Sequence, residues 1–307
     1  MKIIITGSSG LIGSVLVKEL QAQHHTIIPL IHESNKQTLK KDFTWNIFSK
    51  KLDIQAFENV DCVIHLAGSN IGKPWTKAHK SSIYNSRIDG TTLLFEMFKE
   101  HNILPKHFIS ASAIGYYNDP VLDRTDESGL LGNGFLAKVC SDWEKAALQM
   151  ESLGIKTSIV RTGLVLSNKG GVLPIINKFR KLGVVPTTGS PDNIWSWIHI
   201  NDLVSIYIDL IHNKLPNGIY NGVSPNPCEQ GKIAKTILLE TKKQNQSILP
   251  INFTPNVPAF ILKTVLGERS ILTLTNQNIY PSKLLKESFI FEFPKIEMAI
   301  ENLIHGA

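Results

Sequence analysis

Met1-Lys2-Ile3-Ile4-Ile5-Thr6-Gly7-Ser8-Ser9-Gly10-Leu11-Ile12-Gly13 opens the chain, and its reading decides the fold. Ile3 to Ile5 is a short apolar run that reads as a buried strand. It breaks into a glycine-punctuated segment, and apolar residues then recur at helical spacing at Leu11, Val15, Leu16 and Leu20. A strand, a glycine turn and a helix in that order cradle a dinucleotide pyrophosphate in a parallel α/β sheet. Gly7 suits the tight turn, Gly10 lets the backbone come close to phosphate oxygens, and Gly13 lets the helix pack against the strand. Ser9, Leu11 and Ile12 lie between these glycines, where exposed amides and the positive end of the helix meet the anion.

Outward from this turn, strands and helices alternate. Thr26 to Ile31 is β-rich and closes on Ile31-His32-Glu33, where the adenosine ribose would bind. An acidic residue there would hold the 2′-hydroxyl of NAD, and a basic one suits the 2′-phosphate of NADP. Ile31 occupies the carboxylate's place and His32, Lys36, Lys40 and Lys41 can meet a phosphate; Glu33 points the other way, and the reading leans to NADP over NAD. The alternative for His32 is a surface histidine. Asp61 to Gly68 is a strand whose end, Leu66-Ala67-Gly68, lets the chain pass close to a cofactor. Ala78 to Lys99 reads as a long helix, and Phe108 to Ala111 as a strand ending in Ser110-Ala111-Ser112-Ala113-Ile114-Gly115-Tyr116-Tyr117. A helix over Gly134 to Leu153 and a strand over Thr157 to Val160, ending at Arg161, complete the pattern. Such alternation predicts βαβ units and a Rossmann-type, doubly wound parallel sheet.

Beyond residue 163 the rhythm changes. Gly170 to Gly183 reads as a glycine-led helix, and Leu203 to His212 as a helix capped by Asn201 or Asp202. Ile219 to Gly222 is a short strand. Helical runs at Gly231 to Glu240, Ala259 to Leu266 and Lys295 to Ile304 follow, separated by Pro250, Pro255 and Pro258. The expected division is a dinucleotide-binding domain over residues 1–225 and a smaller, mainly helical C-terminal module over 226–307 (about 254–303 at its centre). Residues 168–195 also contribute to this substrate lobe.

The composition excludes several classes. With 42% hydrophobic and 19% charged residues the chain is an ordinary globule. The net charge of +6 suits an anionic ligand, but the basic residues are scattered, which argues against nucleic-acid binding. Cys62, Cys140 and Cys228 show neither metal-ligand spacing nor a disulfide set, which fits a reducing cytoplasm. No apolar run approaches the ~20 residues of a membrane span.

The Gly7/Gly10/Gly13 spacing, His65-Leu66-Ala67-Gly68, Gly90-Thr91, the strand end at Ser112 and Trp197-Ile198-His199-Ile200-Asn201-Asp202-Leu203 resemble the extended short-chain dehydrogenase/reductases. More narrowly, Ser110 to Tyr117, Phe135-Leu136-Ala137-Lys138-Val139-Cys140-Ser141-Asp142-Trp143-Glu144 and Trp195-Ser196-Trp197 are similar to an atypical, epimerase-like branch. Pro258 to Leu266 with Pro281-Ser282-Lys283-Leu284-Leu285 resembles that branch's C-terminal helical module. The resemblance implies a bound dinucleotide, a small-molecule substrate and, as in some relatives of the superfamily, a homodimer through the helices at Ala78–Lys99 and Gly134–Leu153. It also implies chemistry by Ser, Tyr and Lys, with Tyr moving a proton as hydride moves to or from the nicotinamide. Ser112 fills the Ser role. Aligning on Glu144 puts Leu136 where Tyr belongs and Cys140 where Lys belongs, and Arg87 replaces an expected Asn. The ordinary tyrosinate mechanism is therefore unavailable. Tyr116, Tyr117, Cys140 or His199 is left as the acid or base, with packing roles the alternative for each. Arg87 can supply the lost positive charge and bind a carboxylate or phosphate. Arg161, at the ligand-facing strand edge, can meet phosphate or substrate. Trp195 and Trp197 read as core, with a pocket wall as the alternative. The expected function is an NADP-binding oxidoreductase or epimerase-like enzyme acting on a small molecule, and a non-catalytic dinucleotide sensor is the alternative.

Overall fold

Ile3, Ile4 and Ile5 are all fully buried. They form the middle of β1 (Lys2–Thr6), which pairs with a parallel neighbour on each side. The computed structural model of the chain describes residues 1–33, 43–243 and 253–306. Lys36, Lys40, Lys41 and Pro250 lie outside the described residues.

In chain order, α1 (Leu11–Ala22) leads to β2 (Thr26–His32), β3 (Phe43–Asn46), β4 (Lys51–Leu52) and β5 (Cys62–His65). The helix α2 (Lys77–Glu100) leads to β6 (His107–Ala113) and β7 (Val121–Thr125). After α3 (Phe135–Leu148) come β8 (Lys156–Thr162), β9 (Leu164–Ser167), β10 (Gly170–Gly171) and α4 (Leu173–Arg180). Then follow β11 (Thr187–Thr188), β12 (Ile194–Trp195), β13 (Trp197–His199), α5 (Ile200–Ile211) and β14 (Ile219–Gly222). The remainder holds β15 (Cys228–Glu229), α6 (Gln230–Lys243), β16 (Asn256–Val257), α7 (Ala259–Leu266) and α8 (Ile271–Leu274). It ends in β17 (Gln277–Ile279), α9 (Ser282–Lys286) and α10 (Ile296–His305).

Eight strands form the main sheet in the order β14-β8-β6-β5-β1-β2-β3-β4. Only the β3–β4 pair is antiparallel, at the edge. Helices cover both faces, as a doubly wound parallel sheet requires. On one side Leu16 and Leu20 of α1 pack with Leu203, Val204 and Tyr207 of α5. On the other, Leu93, Leu94 and Phe98 of α2 meet Phe108 of β6 and Ala147 of α3. Each of the leucine, valine and phenylalanine side chains among these contributes about 1.5–3 kcal/mol by burial. A third cluster joins Leu166, Leu173, Trp195 and Trp197 to Ile233 and Ile237 of α6 and Ile300 and Leu303 of α10. Both tryptophans are core residues. Among the described residues no helix is long and apolar enough to cross a membrane.

Three local expectations need correction. The helix expected from Gly170 starts only at Leu173, because Gly170 and Gly171 pair antiparallel with Ser167 and Leu166. Gly171 turns there with φ +76°, a left-handed conformation that favours glycine. The cap of α5 is neither Asn201 nor Asp202. His199 Nδ1 accepts from the Asn201 amide at 3.2 Å, and Asp202 instead accepts from the Glu292 and Phe293 amides at 2.7 and 3.1 Å. The Gly134 to Leu153 helix is α-helical only to Leu148 and continues as a 3₁₀ turn to Leu153.

Candidate active site

The glycine turn is shaped by what stands behind it. Gly7 has φ +70°, and a Cβ on it would come within 2.8 Å of the Leu66 carbonyl carbon and 2.9 Å of the Ala67 nitrogen. A Cβ on Gly13 would sit 2.3 Å from the Gly7 oxygen. No side chain fits at either place, so the turn and the Leu66–Ala67 segment lie in backbone contact. Thr6 ties them: its hydroxyl accepts from the Ala67 amide at 3.2 Å and lies 2.7 Å from His65 Nδ1. Burial holds His65 neutral, with its pKa down at about 3.

The helix end is left available to an anion. Gly10 caps α1 without a side-chain hydrogen bond, and the first turn of α1 carries no acidic residue. The first amides of a helix have no intrahelical acceptor, so those of Leu11 and Ile12 are donors without partners from within α1. Ser9 and Gly10 are exposed. At the end of β2, His32 lies edge-on to Phe48, with centroids 6.4 Å apart, and Glu33 accepts from Asn46 at 2.7 Å.

Beside the turn, the ends of β6 and β8 hold a buried polar network. Arg161 and Glu144 form a two-pronged ion pair, Nε to Oε1 at 2.9 Å and Nη2 to Oε2 at 2.8 Å. Their side chains are only 4% and 6% exposed. Ser112 donates to Glu144 Oε1 at 2.7 Å. Arg161 Nη1 donates to the Tyr117 hydroxyl at 2.8 Å, and that hydroxyl donates to Asn221 Oδ1 at 2.7 Å. Asn221 Nδ2 reaches on to the Tyr280 carbonyl at 3.0 Å, linking the sheet edge to the C-terminal part. The Tyr116 ring lies under the guanidinium, 3.5 Å from centroid to Cζ. Burial opposes the Arg161 charge, but Glu144 and Tyr117 outweigh it and raise its pKa.

The structure speaks against four of the expected site roles. Arg161 does not offer its side chain to a cofactor or substrate, because Glu144 and Tyr117 engage it inside the protein. Tyr117 is 3% exposed, and burial lifts its pKa to about 12, so it is ill suited to exchange protons. Cys140 is also buried, with its thiol pushed up to about 12, chiefly by desolvation. It forms an apolar wall with Leu136 and Gly115. His199 is 1% exposed, lies tilted against Phe293 with ring centroids 3.9 Å apart and has its pKa lowered to about 4 by burial, which makes it a packing residue. Ser110 turns its hydroxyl onto the Ala111 carbonyl at 3.0 Å. Tyr116 is half-buried, and Arg87 lies against Gly68 at the mouth of β5.

Two members of the network, Glu144 and Asn221, are not among the residues that the sequence singles out for a role in the site. The signal for Glu144 was present: it sits on the Cys140, Trp143, Ala147 stripe, where a buried carboxylate requires a partner. Arg161, in the apolar strand Ile159-Val160-Arg161, is that partner.

A parallel doubly wound sheet with a glycine turn against the β5 end defines a nucleotide-binding α/β protein. The chain belongs to the NAD dependent epimerase/dehydratase family, whose model matches residues 3–221. Residues 257–303 match a domain of unknown function, DUF1731. Epimerase family protein SAR0825 of Staphylococcus aureus is 33% identical over 302 residues, covering 98% of each chain. The crystal structure of human epimerase family protein SDR39U1 (isoform 2) with NADPH superposes with a TM-score of 0.85, at 23% identity and 100% coverage of both chains. A nucleoside-diphosphate sugar epimerase from Corynebacterium glutamicum gives a TM-score of 0.78 at 29% identity, covering 99% of this chain and 58% of that one.

Proposed function

We propose that the chain is an NADP-binding oxidoreductase or epimerase-like enzyme acting on a small molecule, with a proton donor other than the usual Tyr/Lys pair. The observation that carries this reading is the turn at Gly7 and Gly13, which excludes any Cβ and leads into an uncapped helix end. Those features fit a pyrophosphate. Bound NADP would supply a hydride donor or acceptor. Gly7 to Gly13 hold the diphosphate, Leu66 to Gly68 and Ser110 border the nicotinamide half, and His32 faces the 2′-phosphate. NADP is favoured because, among the described residues, no free carboxylate closes β2: Ile31 stands in its place and Glu33 is engaged by Asn46. The human neighbour's NADPH agrees.

Tyr116 is the proton donor in this reading. Arg161 fixes its ring at the β6 end, four residues beyond Ser112. Residues 226–307, with 168–195, form the substrate lobe. Oxidation of NADPH at 340 nm across aldehydes, ketones and oxo acids tests this. Turnover that falls about 100-fold in Tyr116→Phe supports it. Tight NADPH binding with no turnover of any carbonyl favours the second reading, a non-catalytic sensor. That reading draws on Ser112, whose hydroxyl proton is committed to Glu144.

A further inference from the structure

The site region holds two arginines in opposite states. Arg161 is matched by Glu144. Arg87 is half-buried and, among the described residues, no carboxylate pairs with it. Its Nη1 donates to the Ser69 and Ile83 carbonyls at 3.2 and 3.1 Å, which uses both protons of that nitrogen. No acceptor among the described residues meets Nε or Nη2. These two nitrogens form one straight edge of the guanidinium, the edge that takes a carboxylate through two parallel hydrogen bonds.

The surroundings fix this edge. A Cβ on Gly68 would stand 2.8 Å from Cζ and 3.0 Å from both Nη1 and Nη2, so the guanidinium lies face-on against exposed Gly68. Its Cζ is 5.2 Å from the Trp143 ring centroid. Burial lowers its pKa, a sign that the charge is held without compensation. Arg87 also acts electrostatically on Cys140, which adjoins Gly115 and Leu136. The cation therefore sits between the mouth of β5, where the nicotinamide half is placed above, and the apolar wall by Ser112.

We propose that the Nε–Nη2 edge of Arg87 binds a carboxylate of the substrate, making the substrate an organic acid whose apolar body rests on Leu136. The proposal rests on the NADP-dependent reading above. It assigns the negative charge to the substrate because the α1 terminus already offers the cofactor's diphosphate its own donors. Leaving a guanidinium uncompensated in a partly dry site is unfavourable, and an anion arriving in the fork's plane relieves it.

The test uses the full chain loaded with NADPH, with 4-fluorobenzoate and its neutral isostere 4-fluorobenzamide as probes, followed by ¹⁹F NMR. NADPH is titrated first and alone, so failure of the cofactor reading is recorded before any acid is added. The carboxylate arm is then run with and without NADPH. We expect 4-fluorobenzoate to bind at least about tenfold more tightly than the amide. In Arg87→Gln this preference falls below about twofold, and Arg87→Lys restores part of it as a point charge. Equal binding of acid and amide to the unmodified chain overturns the proposal, as does a preference that persists in Arg87→Gln. Mutual exclusion of 4-fluorobenzoate and NADPH, with a loss of NADPH affinity in Arg87→Gln, also overturns it and assigns the guanidinium to the cofactor. If Arg87→Gln does not fold, Arg87→Lys carries the test alone: an acid preference identical to that of the unmodified chain overturns the proposal, and a partial loss supports it.

Discussion

Glu144→Gln removes one charge from the centre of the site and leaves its partner behind. Arg161 and Glu144 are 4% and 6% exposed, with two bonds of 2.8 and 2.9 Å between them. Deleting one member of such a pair strands the other charge in a dry interior, which costs about 3–5 kcal/mol. Ser112 keeps an acceptor in the glutamine oxygen but loses its charge, a further ~0.5–1.5 kcal/mol at most. Tyr117 still accepts from Arg161 and tempers the loss. The net expectation is about 3–4 kcal/mol of destabilisation. Urea unfolding followed by tryptophan fluorescence measures it: the midpoint falls while the m-value stays the same. Arg161→Met should cost a similar amount by stranding Glu144. The double variant should cost less than the sum of the two, by about 2 kcal/mol or more. A loss below about 1 kcal/mol in Glu144→Gln, or strict additivity in the cycle, would refute the account of the pair.

Other outcomes follow from the same structure. Gly13→Ala forces a methyl to within 2.3 Å of the Gly7 oxygen. It should weaken NADPH binding at least about tenfold in calorimetry, since the turn must open to admit it. Stability should fall as pH drops below the unfolded histidine value of 6.5, because burial lowers His65 to about 3 and His107 and His199 to about 4. Their contribution is complete above 6.5 and is lost on the way down to those values. At pH 5 each accounts for about 2 kcal/mol of loss. Asp202, raised to about 6 by burial, runs the other way: its contribution is present below 3.8 and is lost as pH rises through about 6. Asp202→Asn should therefore steepen the acid loss, as thermal melts across pH 4–7 would show. The proposed homodimer through α2 and α3 predicts a light-scattering mass near twice 34.2 kDa, and a monomer at micromolar concentration contradicts it.

The sheet was legible because Ile3 to Ile5, Val63-Ile64 and Ile159-Val160 are continuous apolar runs, the mark of strands buried on both faces. The strands β3, β4, β7 and β17 were not legible. They are short, sit at edges or pair over long distances, and carry polar residues such as Asn46 and Gln277. The glycine turn could be read because its constraint is local to Gly7, Gly10 and Gly13. The Ser112–Glu144–Arg161–Tyr117–Asn221 network could not, because its five members come from four separate stretches and meet only after the sheet closes. Arg161 illustrates the difference: its position at a strand edge was readable, while its partner, one helix away at Glu144, depended on how α3 packs against β6 and β8. His199 shows the same dependence: its Nδ1 accepts from the Asn201 amide only because β13 ends where it does, at the start of α5.

Two properties can be read together in solution: a dinucleotide held at the Gly7 turn, and a preference of the β2 end for its 2′-phosphate. Titration calorimetry of the purified chain with NADPH and NADH, repeated on Gly7→Ala, tests both parts at once. The expected result is one NADPH per chain, bound at least about tenfold more tightly than NADH, with binding lost in Gly7→Ala, where a Cβ would press on Leu66 and Ala67. Equal affinity for the two nucleotides contradicts the choice of cofactor. An absence of heat with either one, or unchanged binding in Gly7→Ala, contradicts the site itself.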